Sequence, residues 1–368
     1  MEQPLRIALT ASFDKGLFCN GLNQNIVFLA EMLEDMGHKC ALIINHALEE
    51  SQDAPENLTI VHRDSLGDLG PLDFVFQTAW VLRKEDTDLI KDANPSNINI
   101  HVHYGNRLLA DIEQCKWDTL PVGHYRVDEV WVSPHYEFSL PYFKTFYKTP
   151  RVFILPYIWS PKYVDLHDKI FQAAGDGCLY DPSDVKNIAI VEPNLNMTKN
   201  CLPSILIVEE MARHSPDLFN LLKVYCTGVV SEKRYFRALM WALDLVKNGR
   251  VSFEGRKLLS SIFRNQANVI VSHQLLNGLN YTYLEAFHFN IPLVHNSTYI
   301  KDAGYYYPDY DVSAGATQLV KALTEHDSCI DEYRRRSEKV LWRYSPKNPS
   351  VQHTYRQLLN ESRDHHRS

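Results

Sequence analysis

The stretch of this sequence best suited to chemistry is a turn-rich loop followed, eight residues after its first member, by a carboxylate. The loop is Asn-Gly-Leu-Asn at residues 277–280, and Glu285 lies one turn into the helix predicted after it. Glycine and asparagine tolerate unusual backbone angles, so the chain can turn sharply here. The start of the helix offers free backbone N–H groups and the positive end of a dipole, which suit a diphosphate. Glu285 can reach past such phosphates to sugar hydroxyls.

A strand before the loop and another after the helix must position these groups. Residues 269–271 form an apolar run that is too short for a helix and predicts a buried strand. Leu284 and Phe287 lie at helical spacing, and the helix is expected to end near Asn290. A second strand is predicted at residues 291–294. This strand-loop-helix-strand unit places the loop at the carboxyl end of a strand, where open α/β sheets bind ligands.

The segment resembles the donor-binding signature of the GT-B glycosyltransferases, nucleotide-sugar enzymes with two Rossmann-like domains. In retaining members of that family the pattern is Glu-Gly-Phe-Gly, four residues, then Glu-Ala. Here residues 277–280 occupy the first four places, and Glu285 and Ala286 occupy the last two. The departure is Asn277, which stands where the family has a glutamate close to the transferred sugar. The segment also resembles a glycosyltransferase-like family of bacteria and their phages.

The resemblance implies a role for several residues of the loop and the helix. Glu285 corresponds to the residue that holds the nucleotide ribose, and Asn277 would bond sugar hydroxyls. The backbone amides of residues 279–283 would bind the diphosphate. His273 would also face the donor, although a role in the core is the alternative. The candidate donor contacts in this segment are therefore His273, Asn277, Gly278, Leu279, Asn280, Tyr281, Thr282 and Glu285.

Two basic residues match other positions that serve the donor in this family. Lys199 follows the strand predicted at residues 187–191 and precedes a helix that begins near Leu202. The resemblance implies that Lys199 neutralises the diphosphate and stabilises the leaving group. Residues 251–256 resemble the family's Phe-x-Gly segment, so Arg256 would reach phosphate or base. The alternative for Lys199 is a surface lysine without a ligand.

The N-terminal half opens with a βαβ pattern that resembles the acceptor-side domain of GT-B enzymes. Strands are predicted at residues 5–9 and 41–44, around a helix over about residues 21–36. Gly37 is well placed to stop that helix. The first loop, residues 10–20, lacks the G-x-G-x-x-G pattern, so it is either a weak dinucleotide site or a simple connector.

One residue of this half is a candidate for proton transfer. Further strands are predicted at residues 74–76, 98–102, 129–132 and 152–155, each followed by polar or turn residues. His103 follows the second of these strands and is the candidate acid/base on the acceptor side, because imidazole titrates near neutrality. His101 and His103 alternate within a strand pattern, so a hydrogen-bonded structural histidine is the alternative.

The predicted fold class is α/β, with two Rossmann-like domains in the GT-B architecture and a cleft between them. The first 165 residues are assigned to the acceptor-side domain, 180–345 to the nucleotide-sugar-binding domain, and 346–368 to a terminal helix and tail. Prolines and glycines between residues 156 and 186 indicate the crossing between the domains. Residues 362–368 are expected to fray.

Composition fits a two-domain globular protein. The chain has 368 residues, 45% of them hydrophobic and 23% charged, and a net charge of −7, which argues mildly against a nonspecific nucleic-acid coat. Its seven cysteines are scattered and form no Cys-x-x-Cys pair, so a reduced, cytoplasmic protein is expected. Neither a signal peptide nor an apolar run of 18 residues is found in the sequence. No group of histidines and cysteines has the spacing of metal ligands.

These features predict an enzyme that moves a hexose or pentose from a nucleotide-sugar, with a UDP-sugar as the expected donor, to an acceptor hydroxyl. Retention of anomeric configuration is implied by the resemblance, and no tightly bound cofactor or metal is expected. The acceptor is either a hydroxymethylated pyrimidine in phage DNA or a cell-envelope or capsular glycan. DNA would need a flipped base and a basic groove, for which the candidates are Lys144, Lys148, Arg151 and Arg334–Arg336. Because of Asn277, an inactive nucleotide-sugar-binding protein is a further alternative.

Overall fold

The computed structural model describes residues 3–13, 17, 21–46, 55, 57–115, 127–175 and 177–367, so residues 14–16 and 18–20 of the first loop lie outside it. The chain divides into two compact units. Unit 1 comprises Met1–Ser160 and Tyr344–Ser368, and unit 2 comprises Pro161–Arg343. The chain therefore leaves unit 1 once and returns to it for the last helix.

The secondary structure alternates between strands and helices along most of the chain. The strands are β1 Arg6–Thr10, β2 Lys39–Ile44, β3 Thr59–His62, β4 Phe74–Gln77, β5 Ile98–His103, β6 Glu129–Val132, β7 Val152–Ile154, β8 Ile188–Ile190, β9 Leu222–Val224, β10 Val251–Phe253, β11 Val269–Val271, β12 Leu293–His295 and β13 Tyr305–Tyr306. The α-helices are α1 Gly21–Asp35, α2 Lys84–Ala93, α3 Arg107–Gln114, α4 Leu140–Phe146, α5 Lys162–Ala173, α6 Leu202–His214, α7 Arg234–Met240, α8 Asp244–Lys247, α9 Leu259–Asn265, α10 Tyr281–His288, α11 Val312–Thr324, α12 His326–Arg343 and α13 Pro349–Arg367. Short 3₁₀ helices cover Arg63–Leu69, Pro134–Ser139, Pro216–Leu218, Val230–Glu232 and Thr298–Ile300.

Unit 1 is built on a parallel sheet in the order β3-β2-β1-β4-β5-β6-β7. Every residue of β4 and β6 is buried, as expected for strands with both faces covered.

The predicted end of the first helix is confirmed. Gly37 has a φ of 93°, and the next residue, His38, donates its N–H to the carbonyl of Leu33 at 3.1 Å. Glycine reaches this left-handed conformation without the strain that a side chain would impose.

The expectation that residues 362–368 fray is wrong for the part that the structure describes, because α13 continues to Arg367. The side chain of Tyr355 is fully buried and its hydroxyl donates to the carbonyl of Pro156 at 2.9 Å. Further along, Ser362 donates to the buried carboxylate of Glu129 at 2.6 Å, and His366 lies 3.3 Å from the same carboxylate. These contacts hold the last turns of α13 against β6.

Unit 2 is built on a second parallel sheet, in the order β10-β9-β8-β11-β12-β13. The order runs outward in one direction from β8 and in the other from β11, and these two strands pair directly, Ile188 beside Val269. The winding therefore reverses between β8 and β11. In open α/β sheets the crevice at the carboxyl ends of such a strand pair is where ligands bind.

The predicted α/β class is confirmed, since each unit is a parallel sheet with alternating helices. The strands expected at residues 187–191, 269–271 and 291–294 appear as β8, β11 and β12. The segment 156–186, expected only as a crossing, holds the helix α5. No helix in the described part of the chain is long and apolar enough to cross a membrane.

Candidate functional site

The loop between β11 and α10 lies at the carboxyl end of β11, where the sheet order reverses. Gly278 is required there, because a Cβ atom at this position would lie 2.7 Å from the ring of Tyr299. The Gly278 carbonyl accepts a hydrogen bond from the hydroxyl of Ser297, and the N–H of Asn277 donates to the side chain of Gln274 at 2.8 Å. The loop backbone is thus held by a contact within the loop and by a contact to the segment after β12.

The helix start differs from the expectation that all the amides of residues 279–283 point at a ligand. Asn280 is the N-cap of α10, and its side-chain oxygen accepts from the N–H of Thr282 at 3.2 Å. The N–H of Tyr283 donates to the carbonyl of Asn280 at 3.1 Å. The N-cap side chain satisfies one orphan donor of the first turn and the Asn280 carbonyl satisfies the other, so those two amides serve the helix. In the described residues, the amides of Leu279 and Asn280 have no protein partner. The side chains of Leu279 and Tyr281 are buried in unit 2.

Glu285 is a buried carboxylate without a counter-charge. Its side chain is 8% exposed, and no residue in the described part of unit 2 gives it a hydrogen bond or an ion pair. Burial alone raises the pKa of this carboxyl to about 7. Buried carboxyl groups in proteins are normally paired, so this carboxylate suits a group that supplies hydrogen-bond donors.

Lys199 follows β8 and Arg256 follows β10, and the two cations act on each other electrostatically. Burial lowers the pKa of the Lys199 ammonium, the carboxylate of Glu192 raises it, and the positive charge of Arg256 lowers it further. Two cations held within range of each other favour an anion between or beside them. The structure therefore places Lys199 and Arg256 within electrostatic range of each other.

Glu192 was not among the residues singled out from the sequence. It follows β8, is 4% exposed, and accepts a hydrogen bond from the hydroxyl of Ser272 at 2.5 Å. The same hydroxyl lies 3.0 Å from that of Tyr283, on α10. Burial raises the pKa of Glu192 to about 7, and Lys199 lowers it in part. A glutamate placed directly after a buried strand, in the loop that carries Lys199, was the sequence signal for it.

The loop after β8 is organised by Asn194. Its side-chain amide donates to the carbonyls of Glu192 at 2.9 Å and Cys226 at 3.2 Å, and its oxygen accepts from the N–H of Cys201 at 2.9 Å. Asn194, Cys226 and Leu276 have φ values of 53°, 60° and 52°, and they follow β8, β9 and β11. Residues other than glycine in this conformation are costly and concentrate at functional sites.

His273 has a defined tautomer because of its partner. The hydroxyl of Tyr307 donates to the carbonyl of Ser272 at 3.3 Å, so its oxygen accepts the Nδ1–H of His273 at 2.9 Å. The Nε2 atom therefore carries a lone pair, and it has no hydrogen-bond partner among the described residues. The side chain is 3% exposed, and burial lowers the pKa of the ring to about 4, which keeps it neutral. This nitrogen requires a donor such as a hydroxyl.

His103 lies in unit 1, where its environment is that of a packed ring. It is 7% exposed, stacks on Phe143 with 4.4 Å between ring centroids, and lies 3.4 Å from the hydroxyl of Tyr147. Burial lowers its pKa well below the ordinary value, and His101 and Arg107 lower it further. A ring held neutral in this way favours the structural alternative.

Among the basic residues proposed to grip DNA, Arg151 is half-buried, and the two lysines and Arg334–Arg336 are exposed. Arg151 donates to the buried carboxylate of Glu129 at 2.5 Å, and Arg336 donates to the carbonyl of Asp302 at 2.8 Å. These two guanidinium groups are engaged within their own units. Lys144 and Lys148 are exposed on unit 1.

A family model described as "Protein of unknown function (DUF2827)" matches residues 7–359. The chain belongs to this family. A comparison with curated proteins gives no match.

Solved structures of glycosyltransferases have a similar fold. A glycosyltransferase from Rickettsia africae ESF-5 matches with 10% identity and a TM-score of 0.59, over 97% of this chain and 98% of that one. An alpha-glucosyltransferase in complex with UDP and a 13-mer DNA containing an HMU base matches with 11% identity and a TM-score of 0.62, over 97% of this chain and 100% of that one. An E. coli trehalose-6-phosphate protein bound with UDP-2-fluoro glucose matches with 14% identity and a TM-score of 0.58, over 96% of this chain and 99% of that one. At these identities the similarity shows the fold, which is that of GT-B glycosyltransferases with two Rossmann-like domains.

Proposed function

We propose that unit 2 binds a UDP-sugar and that the protein transfers its sugar to an acceptor hydroxyl. The observation that carries the proposal is Glu285, a buried carboxylate without a partner in the described part of the chain, one turn into a helix at the point where the sheet order reverses. The ribose of a nucleotide presents two neighbouring hydroxyl groups, which are the donors that this carboxylate lacks. UDP bound to several structural neighbours supports the choice of nucleotide.

The diphosphate is assigned to Lys199, Arg256 and the amides of Leu279 and Asn280. In sugar transfer, negative charge builds on the diphosphate as the bond to the sugar breaks. Cations and amide groups that are already in place stabilise that charge without having to reorganise. Removing one such group from an enzyme typically lowers kcat by about 100- to 1,000-fold.

The sugar is assigned to His273 and Asn277. The lone pair on Nε2 of His273 accepts a sugar hydroxyl, and the side-chain amide of Asn277 both donates and accepts. The amide of Asn277 supplies no charge, whereas retaining GT-B glycosyltransferases have a carboxylate at this position. The sugar specificity of this protein is therefore expected to differ from theirs. We propose that transfer retains the anomeric configuration of the sugar. NMR of the anomeric proton in the product tests this.

The test of this function is release of UDP from a panel of UDP-, GDP- and ADP-sugars, with mass spectrometry of the acceptor. The wild-type protein should release UDP and add the mass of one sugar, and Glu285→Ala should reduce UDP binding. Donor binding without release on any acceptor would favour the inactive, nucleotide-sugar-binding protein. Unchanged donor affinity in both Glu285→Ala and Lys199→Ala would remove the proposed donor site.

We propose a hydroxymethylated pyrimidine in DNA as the acceptor, with unit 1 as the acceptor-binding unit. A neighbour bound to DNA that contains an HMU base supports this choice, and exposed Lys144 and Lys148 supply positive charge on unit 1. Duplexes with and without the hydroxymethyl group, beside cell-envelope oligosaccharides, form the acceptor panel. Binding that weakens steeply with salt and a sugar added only to the hydroxymethylated duplex are expected. Addition only to an oligosaccharide would establish the glycan alternative.

A further inference from the structure

Two large aromatic side chains lie exposed on the helix α7 of unit 2. Tyr235 is 81% exposed, and Trp241, which continues the helix by one residue, is 66% exposed. On the other side of the helix Phe236 and Met240 are buried, and the ring of Phe236 lies 5.7 Å from that of Phe253 on β10. The helix is therefore anchored by its inner side, and its two outer rings are left in water.

Three cations lie among these rings. Lys233 directly precedes α7, Arg234 and Arg237 lie within it, and all three side chains are exposed. None of the three forms an ion pair or a side-chain hydrogen bond with a described residue. Residues 229–243 have a net charge of +2, in a chain whose net charge is −7. The α7 face, defined as Lys233, Arg234, Tyr235, Arg237 and Trp241, therefore carries positive charge that the protein does not compensate.

Rings and cations alternate on the α7 face. At about 100° per residue, Arg234 and Trp241 are two turns apart and share one stripe of the helix. Arg237 lies on one side of that stripe and Tyr235 on the other. The two rings are about 9 Å apart along the helix axis, roughly the length of two to three stacked nucleotides. Rings interleaved with cations suit a strand that offers both the flat faces of bases and the negative charge of phosphates.

The segment that leads into α7 lies at the same edge of the sheet as the proposed donor contacts. In the sheet, β9 lies between β8 and β10, and α7 follows β9. The N–H of Thr227 donates to the carbonyl of Glu254 at 3.0 Å, and the N–H of Ser231 donates to the carbonyl of Thr227 at 2.8 Å. These bonds hold the segment before α7 at the carboxyl ends of the strands, the edge at which Lys199 and Arg256 also follow their strands.

We propose that the α7 face binds single-stranded nucleic acid, with bases stacked on Tyr235 and Trp241 and phosphates against the three cations. The inference goes beyond the proposed function, because it does not depend on the donor site. It also gives the proposed DNA acceptor a contact on unit 2. Stacking on exposed rings is tolerant of sequence, since every base has a flat face.

Two other partners fit the α7 face less well. In a symmetric contact between two copies of the chain, the cations of one face would meet those of the other, and like charges at an interface are costly. An anionic membrane would attract the cations, but helices that lie on membranes keep their charges on the side away from the lipid. Here Arg234 lies between the two rings, so neither ring enters lipid without drawing the guanidinium toward it.

Binding of the full chain to fluorescent oligo-dT and oligo-U, at several salt concentrations, tests the inference. The wild type should bind at least one of them, and the tighter complex distinguishes a DNA from an RNA partner. Trp241→Ala and Tyr235→Ala should each weaken binding by about 5- to 150-fold, the contribution of one stacked base. Combining Lys233→Gln, Arg234→Gln and Arg237→Gln should reduce the slope of log affinity against log salt by about 2, since each phosphate contact of a single strand contributes roughly 0.7.

Matched controls leave α7 unchanged. Trp342→Ala removes an exposed ring from α12. Combining Lys169→Gln, Lys301→Gln and Lys321→Gln removes the same charge from other exposed positions of unit 2. Both controls should bind the oligonucleotides as the wild type does. Exposed positions tolerate such changes with little loss of stability, so all of these variants should fold.

Oligonucleotide binding that is the same in the wild type and in every α7 variant would overturn the inference, as would absence of binding by the wild type. The aromatic variants separate this surface from Lys144 and Lys148 of unit 1, because a lysine side chain has no ring on which a base can stack. Binding to mixed phosphatidylserine and phosphatidylcholine vesicles that is lost in the α7 variants, while oligonucleotide binding is kept, would overturn the inference in favour of a membrane surface. UDP binding is measured in parallel, and its absence in the wild type would overturn the proposed donor site alone.

Discussion

Glu285 should make the protein less stable at high pH and at the same time bind the nucleotide. Its pKa is raised from the ordinary 4.5 to about 7 by burial, with no partner in the described residues to compensate. The folded pKa lies above the unfolded value, so the penalty is absent below about pH 4.5, grows between there and pH 7, and is complete above pH 7. Its full size is roughly 3 kcal/mol, by conversion of the pKa change into free energy.

Replacing Glu285 by glutamine removes the charge and keeps the shape. We expect the stability of Glu285→Gln, relative to wild type, to be greater at pH 8 than at pH 5 by roughly 2–3 kcal/mol. Comparing the two pH values cancels the cost of burying the new amide. UDP should bind the variant about 10- to 150-fold more weakly at pH 8, because hydrogen bonds to a charged group contribute roughly 1.5–3 kcal/mol.

Urea unfolding at both pH values and calorimetric titration with UDP measure these quantities. Glu338→Gln is the matched control, since its carboxyl is exposed on the same unit and should give no pH-dependent difference. A stability difference between Glu285→Gln and wild type that is the same at both pH values would show that the carboxylate has a partner when the protein is free. Unchanged UDP affinity would refute its role in binding the nucleotide.

Three further variants probe the donor loop, the cations and the histidine of unit 1. Lys199→Ala should lower the rate of UDP release from a UDP-sugar by about 100-fold or more while weakening affinity less, as steady-state kinetics can show. Gly278→Ala should weaken UDP binding, since the new methyl group would displace the ring of Tyr299 and with it the loop; a normal affinity would contradict this. His103→Ala should lower the thermal midpoint, through loss of about 1–3 kcal/mol of packing against Phe143, and leave UDP affinity of unit 2 unchanged. A large loss of turnover in a stable His103→Ala protein would instead restore its acid/base role.

The loop and helix of unit 2 were predictable from sequence because their signals are local. An apolar run of three, a Gly/Asn turn and helical spacing predicted a strand, loop and helix over residues 269–288, and these appear as β11, the loop and α10. The role of Asn280 as the N-cap of α10 was not predicted from these local signals. The side chain of Asn280 accepts the N–H of Thr282 and so caps α10. This hydrogen bond depends on the backbone geometry of the loop, which the sequence does not display.

Residues whose environment comes from distant segments were not predictable. Glu192 follows β8 in the loop that carries Lys199, and its contact with Ser272, eighty residues further along the chain, is set by the fold. His103 looked suited to proton transfer until Phe143, from α4, was seen to stack on it. The end of α13 was expected to fray because it is a chain terminus, whereas Ser362 is held by Glu129 of β6.

A crystal structure of the protein with UDP would locate the nucleotide. Its ribose hydroxyls should lie within hydrogen-bond distance of Glu285, and its diphosphate should contact Lys199 and the amides of Leu279 and Asn280. UDP bound elsewhere, or side chains filling this site while UDP is present at millimolar concentration, would contradict this placement.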